Sequence, residues 1–376
     1  MILGLLPAAG GGIRDLAQIG QHTRLIEGYF RAYAAAFERT HFFSYFDEHL
    51  TDYTDDKELL KRVAVWPRQG RRLPYRLYSL ILPLVYSREF AACDVLRVFQ
   101  ATGALPAIIA RARYGTPYAV TYGYRYAEFA CTEGRCIGAL WLELVERLAL
   151  RYASAIIVTT AQLQAYLQRT APPERIHLIP NGVDTTQFAP GPSGTRPGPA
   201  TVIFVGRLEA QKNLTRLIEA MRLVQERRPV RLVLVGEGTL RPVLHQQARN
   251  LGVEVEFAGM VEHSMLPDCL RAADVFVLPS LIEGHPKALL EAMACGLPCV
   301  VSDCEGNREV IEDGRNGLLV PPDDSHALAA QIIRVLEDKG MACALGARAR
   351  ETVVRQYDLD ILLAREVALL QSIARR

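Results

Sequence analysis

The chain has 376 residues and no run able to cross a bilayer as a helix. Its longest uncharged stretch, Tyr152 to Gln168, holds a Ser, two Thr and three Gln, whereas a spanning helix needs about 20 mostly apolar residues. The N-terminus has no basic region, and Pro7 and a Gly triplet break its apolar start, so a secretory signal peptide is not expected. Charge of one sign is not in excess either. Lys and Arg number 43 against 41 Asp and Glu, a net of +2, which argues against a nucleic-acid partner. Eight cysteines are present, but Cys131/Cys136 and Cys295/Cys299/Cys304 lack the C-x2-C spacing of a zinc site. A chain this long needs no disulfide staples. The expectation is a cytoplasmic protein with reduced thiols and no metal.

One further absence is local. From Leu59 to Arg88 there is no acidic residue, while Lys61, Arg62, Arg68, Arg71, Arg72, Arg76 and Arg88 are basic. Residues 1–190 hold 21 basic and 17 acidic side chains, and the remainder nets −2.

The clearest break is Pro190-Gly-Pro-Ser-Gly-Thr-Arg-Pro-Gly-Pro199. A run so rich in Pro and Gly sustains neither helix nor central strand and reads as a linker. On each side, short apolar runs alternate with helical patterns. The first half offers strands at Ile2–Leu6, His41–Tyr45, Val63–Val65, Val95–Phe99, Tyr118–Tyr122, Ala155–Thr159 and Ile176–Ile179. The second offers Val202–Val205, Arg231–Val235, Val255–Phe257, Val275–Leu278, Cys299–Ser302 and Gly317–Val320. Helical stretches include Ile13–Phe37, Ala139–Tyr152, Leu214–Glu226 and Ala327–Leu336. Such alternation builds right-handed βαβ units and parallel sheets covered on both faces. The fold class is therefore α/β: two Rossmann-like, doubly wound domains, 1–190 and 200–358. Ligands of that class bind at the C-terminal ends of the strands.

Three segments there carry candidate chemistry. Pro7-Ala-Ala-Gly-Gly-Gly12 follows the first strand and precedes a helix. Free helix N–H groups would favour an anion there, although a plain tight turn reads equally well and the G-x-G-x-x-G nicotinamide fingerprint is absent. At the second segment a strand ends at Gly206, with Arg207 and Lys212 following. Two cations suit a diphosphate, or are simply solvated. In the third, Glu283 lies in the loop after Val275–Leu278, Pro286 suits a first helical turn, and Gly296 ends the helix that carries Glu291. A helix N-terminus between two acids suits a ligand bearing both hydroxyls and phosphates; a paired-carboxylate hydrolase is the alternative.

These segments resemble the retaining glycosyltransferases of family 4, with the GT-B fold. The resemblance runs through Ile179-Pro-Asn-Gly-Val-Asp184, Val205-Gly-Arg-Leu208, Lys212-Asn213, Ala273-Asp-Val275, Pro279-Ser280, the Glu283/Glu291 pair eight residues apart, and Asn316-Gly-Leu318. It implies two domains facing a central cleft, with the last helix, about Leu359–Arg376, packing back on the first domain. It also implies a nucleoside-diphosphate sugar as co-substrate, with no metal or other cofactor. Arg207 and Lys212 would meet the donor diphosphate, Glu283 the transferred sugar and Glu291 the ribose hydroxyls. Gly206 lies in the same strand-end turn. Gly284, His285, Pro286, Lys287 and Ala288 would line sugar and phosphate; Met260 and Val261 would lie at the nucleobase. Gly11 and Gly12 match a loop closing over the donor. Where many members carry a His, this chain has Tyr122, and no His lies between His49 and His177. That position either contacts substrate through its hydroxyl or is a buried Tyr. Asp358-Leu-Asp360 has D-x-D form, but its place before the last helix fits an N-cap.

Arg68, Arg71 and Arg72 follow a strand, and Leu77–Tyr86 beyond them is apolar and aromatic. A cationic loop beside an apolar segment suits a glycan or lipid-linked acceptor that carries phosphate, or an anionic membrane surface at which the protein is peripheral. A core-facing helix with solvated arginines is the alternative. The expected activity is hexosyl transfer in polysaccharide or glycolipid synthesis. The competing classes are a non-catalytic nucleotide-sugar-binding protein and a sugar-nucleotide epimerase.

Overall fold

A computed structural model describes residues 1–70, 73–124, 136–191 and 198–375. Arg71 and Arg72 lie outside the described residues, as does most of the Pro190–Pro199 run. The chain divides into two compact units, Met1–Pro180 with Asp360–Arg376, and Asn181–Leu359. The sequence expectation put the boundary inside the Pro/Gly run. The division falls earlier because Val183 and Phe188 are already buried in the core of the second unit.

The first unit holds a seven-stranded sheet of β1 (Ile2–Leu6), β2 (Arg39–Phe43), β3 (Val63–Trp66), β4 (Val95–Val98), β5 (Tyr118–Tyr122), β6 (Ala155–Val158) and β7 (Ile176–Leu178). Its order is β3-β2-β1-β4-β5-β6-β7, and every pairing is parallel. The second unit holds β8 (Ala200–Val205), β9 (Val230–Val235), β10 (Val255–Gly259), β11 (Val275–Leu278), β12 (Cys299–Ser302) and β13 (Leu318–Val320). Their order is β10-β9-β8-β11-β12-β13, again all parallel. Each sheet reverses its winding beside its first strand, between β1 and β4 and between β8 and β11. That is the switch point where doubly wound sheets bind ligands. β11 and β12 are buried along their whole lengths, as expected of strands with helices on both faces.

The expected single helix Ile13–Phe37 is broken once: Ile13–Gln18 is followed by a second helix in which a π-helical Arg24–Phe30 runs directly into Arg31–Ala36. Gly20, at φ 67°, takes the left-handed conformation after the first piece, where its N–H bonds back to the Ala17 carbonyl. That geometry ends a helix however helical the flanking pattern looks. The helix Leu359–Ile373 belongs to the first unit: Leu362 and Leu370 are buried in its core. Arg97 on β4 and Glu366 on this helix form a bidentate ion pair at 2.6 and 3.1 Å, and the Tyr33 hydroxyl donates to the same carboxylate. All three side chains are buried. The six described cysteines are unpaired thiols.

Candidate functional site

The most developed polar constellation sits at the switch point of the second sheet, where the loops after β8 and β11 meet. The Leu281 N–H donates to the Gln211 carbonyl at 2.8 Å, tying one loop to the other. Lys212 and Glu283 form an ion pair at 2.5 Å with both side chains largely buried. The Ser280 hydroxyl donates to the same Glu283 oxygen at 2.6 Å. A chain of hydrogen bonds runs on beneath. Ser302, at the end of β12, donates to the Ser280 carbonyl, and the Asn307 amide donates to the Ser302 carbonyl at 2.8 Å. Ser280, Ser302 and Asn307 are buried, so a buried polar network holds the Glu283 loop from below, with only the Asn307 Oδ1 of its side-chain oxygens left without a partner. Gly306 completes the support. A Cβ there would lie 2.0 Å from the Gly284 carbonyl oxygen and 2.5 Å from that of Glu283, so only glycine lets the 305–308 turn pass under the loop.

The neighbouring strands end in a similar close approach. The Gly206 N–H donates to the Val235 carbonyl and the Gly236 N–H to the Gly259 carbonyl. Gly236 is at φ 132°, and a Cβ on it would fall 2.0 Å from the Gly206 oxygen. Arg207, next to Gly206, is exposed, whereas Lys212 is turned inward onto Glu283. The two expected diphosphate cations therefore stand in different surroundings. Met260 is exposed and Val261 half-buried just beyond β10.

The helix Lys287–Ala294 begins at Pro286, which supplies no side-chain cap. Pro286 lacks the oxygen that Ser, Thr or Asp would offer, so no capping side chain competes with an incoming anion at this helix's positive end. Its N-terminus is anchored from the Ile179-Pro-Asn-Gly motif: the Asn181 amide donates to the His285 carbonyl at 2.8 Å. The His285 ring is buried beside Tyr357 at a centroid distance of 5.1 Å, with its Nδ1 unpartnered. Burial, with Lys287 nearby, lowers its pKa to about 4. The ring is thus neutral at pH 7 and adds no charge beside the helix terminus. Glu291, a turn and a half along, is buried and meets His263 Nε2 at 3.0 Å. His263 in turn packs against Phe188 at 5.1 Å.

The Gly-rich turn of the first unit, read from the sequence either as an anion site or as a plain tight turn, has its helix end met by a carboxylate of the chain itself. The N–H groups of Ile13 and Arg14, expected to await an anion, donate to Glu48 at 2.9 and 2.7 Å. Gly12 N–H donates to Asp15 at 2.6 Å. The chain supplies its own carboxylate to this helix end. Gly12 is required because a Cβ would lie 2.5 Å from Glu48 Oε1 and 2.6 Å from Phe46 and Ser44. Gly11 N–H bonds to the Ala8 carbonyl within the turn. Tyr122 is buried at the end of β5 within the first unit's core. Arg68, after β3, bonds through its guanidinium to the Leu73 carbonyl and lies 5.2 Å from the Tyr78 ring. Asp358 is bonded by the Thr185 hydroxyl, and among the described residues no group of three or more His, Cys, Asp or Glu is placed to hold a metal.

The sequence singles out Glu283, Lys212 and Glu291 but not the residues that contact or support them, Ser302, Asn307, Gly306, Asn181 and His263, nor Glu48, which meets the helix end at Ile13 in the first unit. The polar ends of otherwise apolar strands, such as Ser302 closing Cys299-Val-Val, are the signal that was available.

Two family models match the chain. Residues 26–187 match "Glycosyltransferase Family 4" and residues 186–352 match "Glycosyl transferases group 1". A phosphatidyl-myo-inositol mannosyltransferase of Mycolicibacterium smegmatis is 36% identical over 201 residues, 52% of either chain. A glycogen synthase of Mycobacterium tuberculosis is 31% identical over 272 residues, 70% of this chain and 65% of the other. The chain thus spans between half and two thirds of the length of these curated relatives. The solved sucrose-phosphate synthase of Thermosynechococcus elongatus superposes with a TM-score of 0.78 over 99% of both chains at 23% identity, a likeness of fold. With the two models spanning residues 26–352 between them, and with both parallel sheets in place, the chain belongs to the family 4 glycosyltransferases of GT-B fold.

Proposed function

We propose that the chain transfers a sugar from a nucleoside-diphosphate sugar to an acceptor hydroxyl, with retention of anomeric configuration and without a metal. The observation that carries this reading is the buried Lys212–Glu283–Ser280 cluster beside the uncapped helix N-terminus at Pro286, at the switch point of the second sheet. Transfer passes through an oxocarbenium-like state while negative charge builds on the departing diphosphate. Arg207, Lys212 and the helix N-terminus stabilise that charge. A Lys ammonium has three donors, so Lys212 can hold Glu283 and still reach a phosphate oxygen. Glu283 is set toward the sugar and Glu291 toward the ribose, with Met260 and Val261 beside the base. In the retaining course, attack comes from the face the diphosphate leaves, and a phosphate oxygen accepts the acceptor's proton.

The relatives act on different donors and acceptors, and the reading leaves sugar and base open. On the acceptor side, Arg68, Arg71 and Arg72 favour a glycan or lipid-linked acceptor carrying negative charge. The unpaired thiols of the six described cysteines accord with a reducing, cytoplasmic setting, and the basic, apolar segment from Leu59 to Arg88 with a peripheral place at a membrane. A screen of nucleotide sugars by thermal shift identifies the donor, and transfer of its labelled sugar to an acceptor in excess EDTA tests the reaction. Nucleotide binding without transfer, release of an epimer, or turnover restored only by a divalent ion would overturn it.

A further inference from the structure

The helix Tyr75–Val85 is apolar on two faces, and only one of them is packed. Tyr78, Ser79, Leu82 and Pro83 are buried. The Ser79 and Tyr45 hydroxyls meet at 2.8 Å, and the Pro83 carbonyl accepts from the Tyr114 hydroxyl at 2.8 Å. The opposite face presents Leu77, Leu80 and Leu84, exposed by 51%, 40% and 48%. At 3.6 residues per turn these three fall within an arc of about 60°, with Arg76 about 40° to one side. They are therefore a continuous leucine stripe with a cation at its edge. Leu73, just before the helix, is also exposed, whereas Tyr75 lies on the side of the helix away from the stripe. Tyr75 and Arg76 line a small cavity together with Trp141 of the helix Cys136–Tyr152, which is itself partly exposed.

An exposed stripe of leucines has an occupant whose chemistry the neighbouring charge selects. The helix lies wholly within the 30-residue stretch that carries seven basic side chains and no acidic one. A protein partner of matching shape would have to be both apolar and acidic at this face. An anionic bilayer offers both at once: acyl chains for the leucines and headgroup phosphates for the cation at their edge. We propose that this face of the helix Tyr75–Val85 docks on an anionic lipid surface, its leucines entering the interface and Arg76 engaging headgroups. The binding is peripheral, since no helix among the described residues is long and apolar enough to span a membrane. This rests on the acceptor-side reading above for the sign of the charge, and is independent of the transfer chemistry.

The test uses the full chain with vesicles of phosphatidylcholine alone and of phosphatidylcholine with 30% phosphatidylglycerol. The wild type should co-sediment with the anionic vesicles, and binding should fall at high salt. Replacing Leu77→Gln, Leu80→Gln and Leu84→Gln together should weaken it at least tenfold and leave the unfolding midpoint unchanged, because these side chains face solvent. Arg76→Gln should weaken binding to anionic vesicles alone. Three results would overturn the proposal: a wild type that ignores both vesicles, a triple variant that binds like the wild type, or a wild-type dimer that the triple substitution dissociates with no vesicle binding by either. A chain that transfers sugar in solution but ignores vesicles would remove this inference and leave the transferase reading standing. Vesicle binding through the leucines without sugar transfer would do the reverse.

Discussion

His285 is the last side chain before the helix whose N-terminus is assigned to phosphate, and its burial has a measurable cost in acid. The ring is buried beside Tyr357, its Nδ1 has no partner, and its pKa is lowered to about 4 by burial and then by Lys287. In the unfolded chain a histidine titrates near 6.5. Between those values the unfolded state binds the proton and the folded state does not, so stability falls as pH falls. The effect is absent above about pH 7 and complete only below pH 4, where it reaches about 3 kcal/mol from a shift of some 2.5 units at 1.36 kcal/mol each. Integrated from pH 7.5 to 5, it amounts to about 2 kcal/mol.

The perturbation is His285→Gln, which removes the titration and costs a similar amount of packing at both pH values. Urea unfolding at pH 7.5 and pH 5 gives four free energies. The wild type should lose about 2 kcal/mol more than the variant on acidification. The carboxylates common to both proteins cancel in that difference. Equal losses would show that the ring is hydrated or protonated in the folded state, and the neutral environment assigned to this helix terminus would be withdrawn.

Arg207→Ala, at an exposed position, should leave stability within about 0.5 kcal/mol of wild type and weaken nucleoside-diphosphate binding at least tenfold by calorimetry; unchanged affinity would remove it from the diphosphate. Lys212→Met should instead lower both turnover and stability, the latter by about 3 kcal/mol, because it strands the Glu283 carboxylate in a largely buried site. His263→Ala should raise KM for the nucleotide sugar while kcat changes little, with His263→Gln recovering most of the loss, since an amide can restore the hydrogen bond to Glu291; an Ala variant with wild-type KM would separate His263 from ribose binding. Glu366→Ala should cost about 3–5 kcal/mol in denaturant unfolding by leaving the Arg97 guanidinium buried without its partner; a loss under about 1 kcal/mol would mean that water reaches the pair.

Every strand of the structure was legible in the sequence, to within two residues at either end: the central ones are short buried runs of Val, Ile and Leu between polar loops, and edge strands such as β10 (Val-Glu-Phe-Ala-Gly) still begin with an apolar–polar alternation. The break at Gly20 was not. The helical period continues through Ile13–Phe37, and only the left-handed glycine, a matter of backbone geometry, ends the first piece. The same limit applies at the site. Glu283 and Glu291 are visible as two acids around a helix start. Nothing in their spacing reveals that Lys212 folds onto Glu283, that Ser302 and Asn307 support the loop from another strand, or that His263 meets Glu291 across 28 residues. Those contacts depend on which loops the sheet order brings together. Glu48 shows this most plainly: it lies 35 residues from the helix end that it neutralises.

Within the second unit, Val183 and Asp358 pair as a parallel bridge, with the Val183 N–H bonded to Tyr357 and the Leu359 N–H to Val183. The segment's entry and exit thus lie side by side, although some 175 residues separate them. On the ribosome, everything needed to close Asn181–Leu359 has been made by the time Leu359 emerges. The first unit is begun earlier and finished later, because Arg97 and Tyr33 wait for Glu366 until the whole second unit has been translated. Vectorial synthesis therefore completes the two sheets in chain order but the two units in the reverse order, since the last helix of the first unit is made after the whole of the second. During that interval the core side chains that Leu362 and Leu370 cover are exposed, and the Arg97 guanidinium lacks its carboxylate partner.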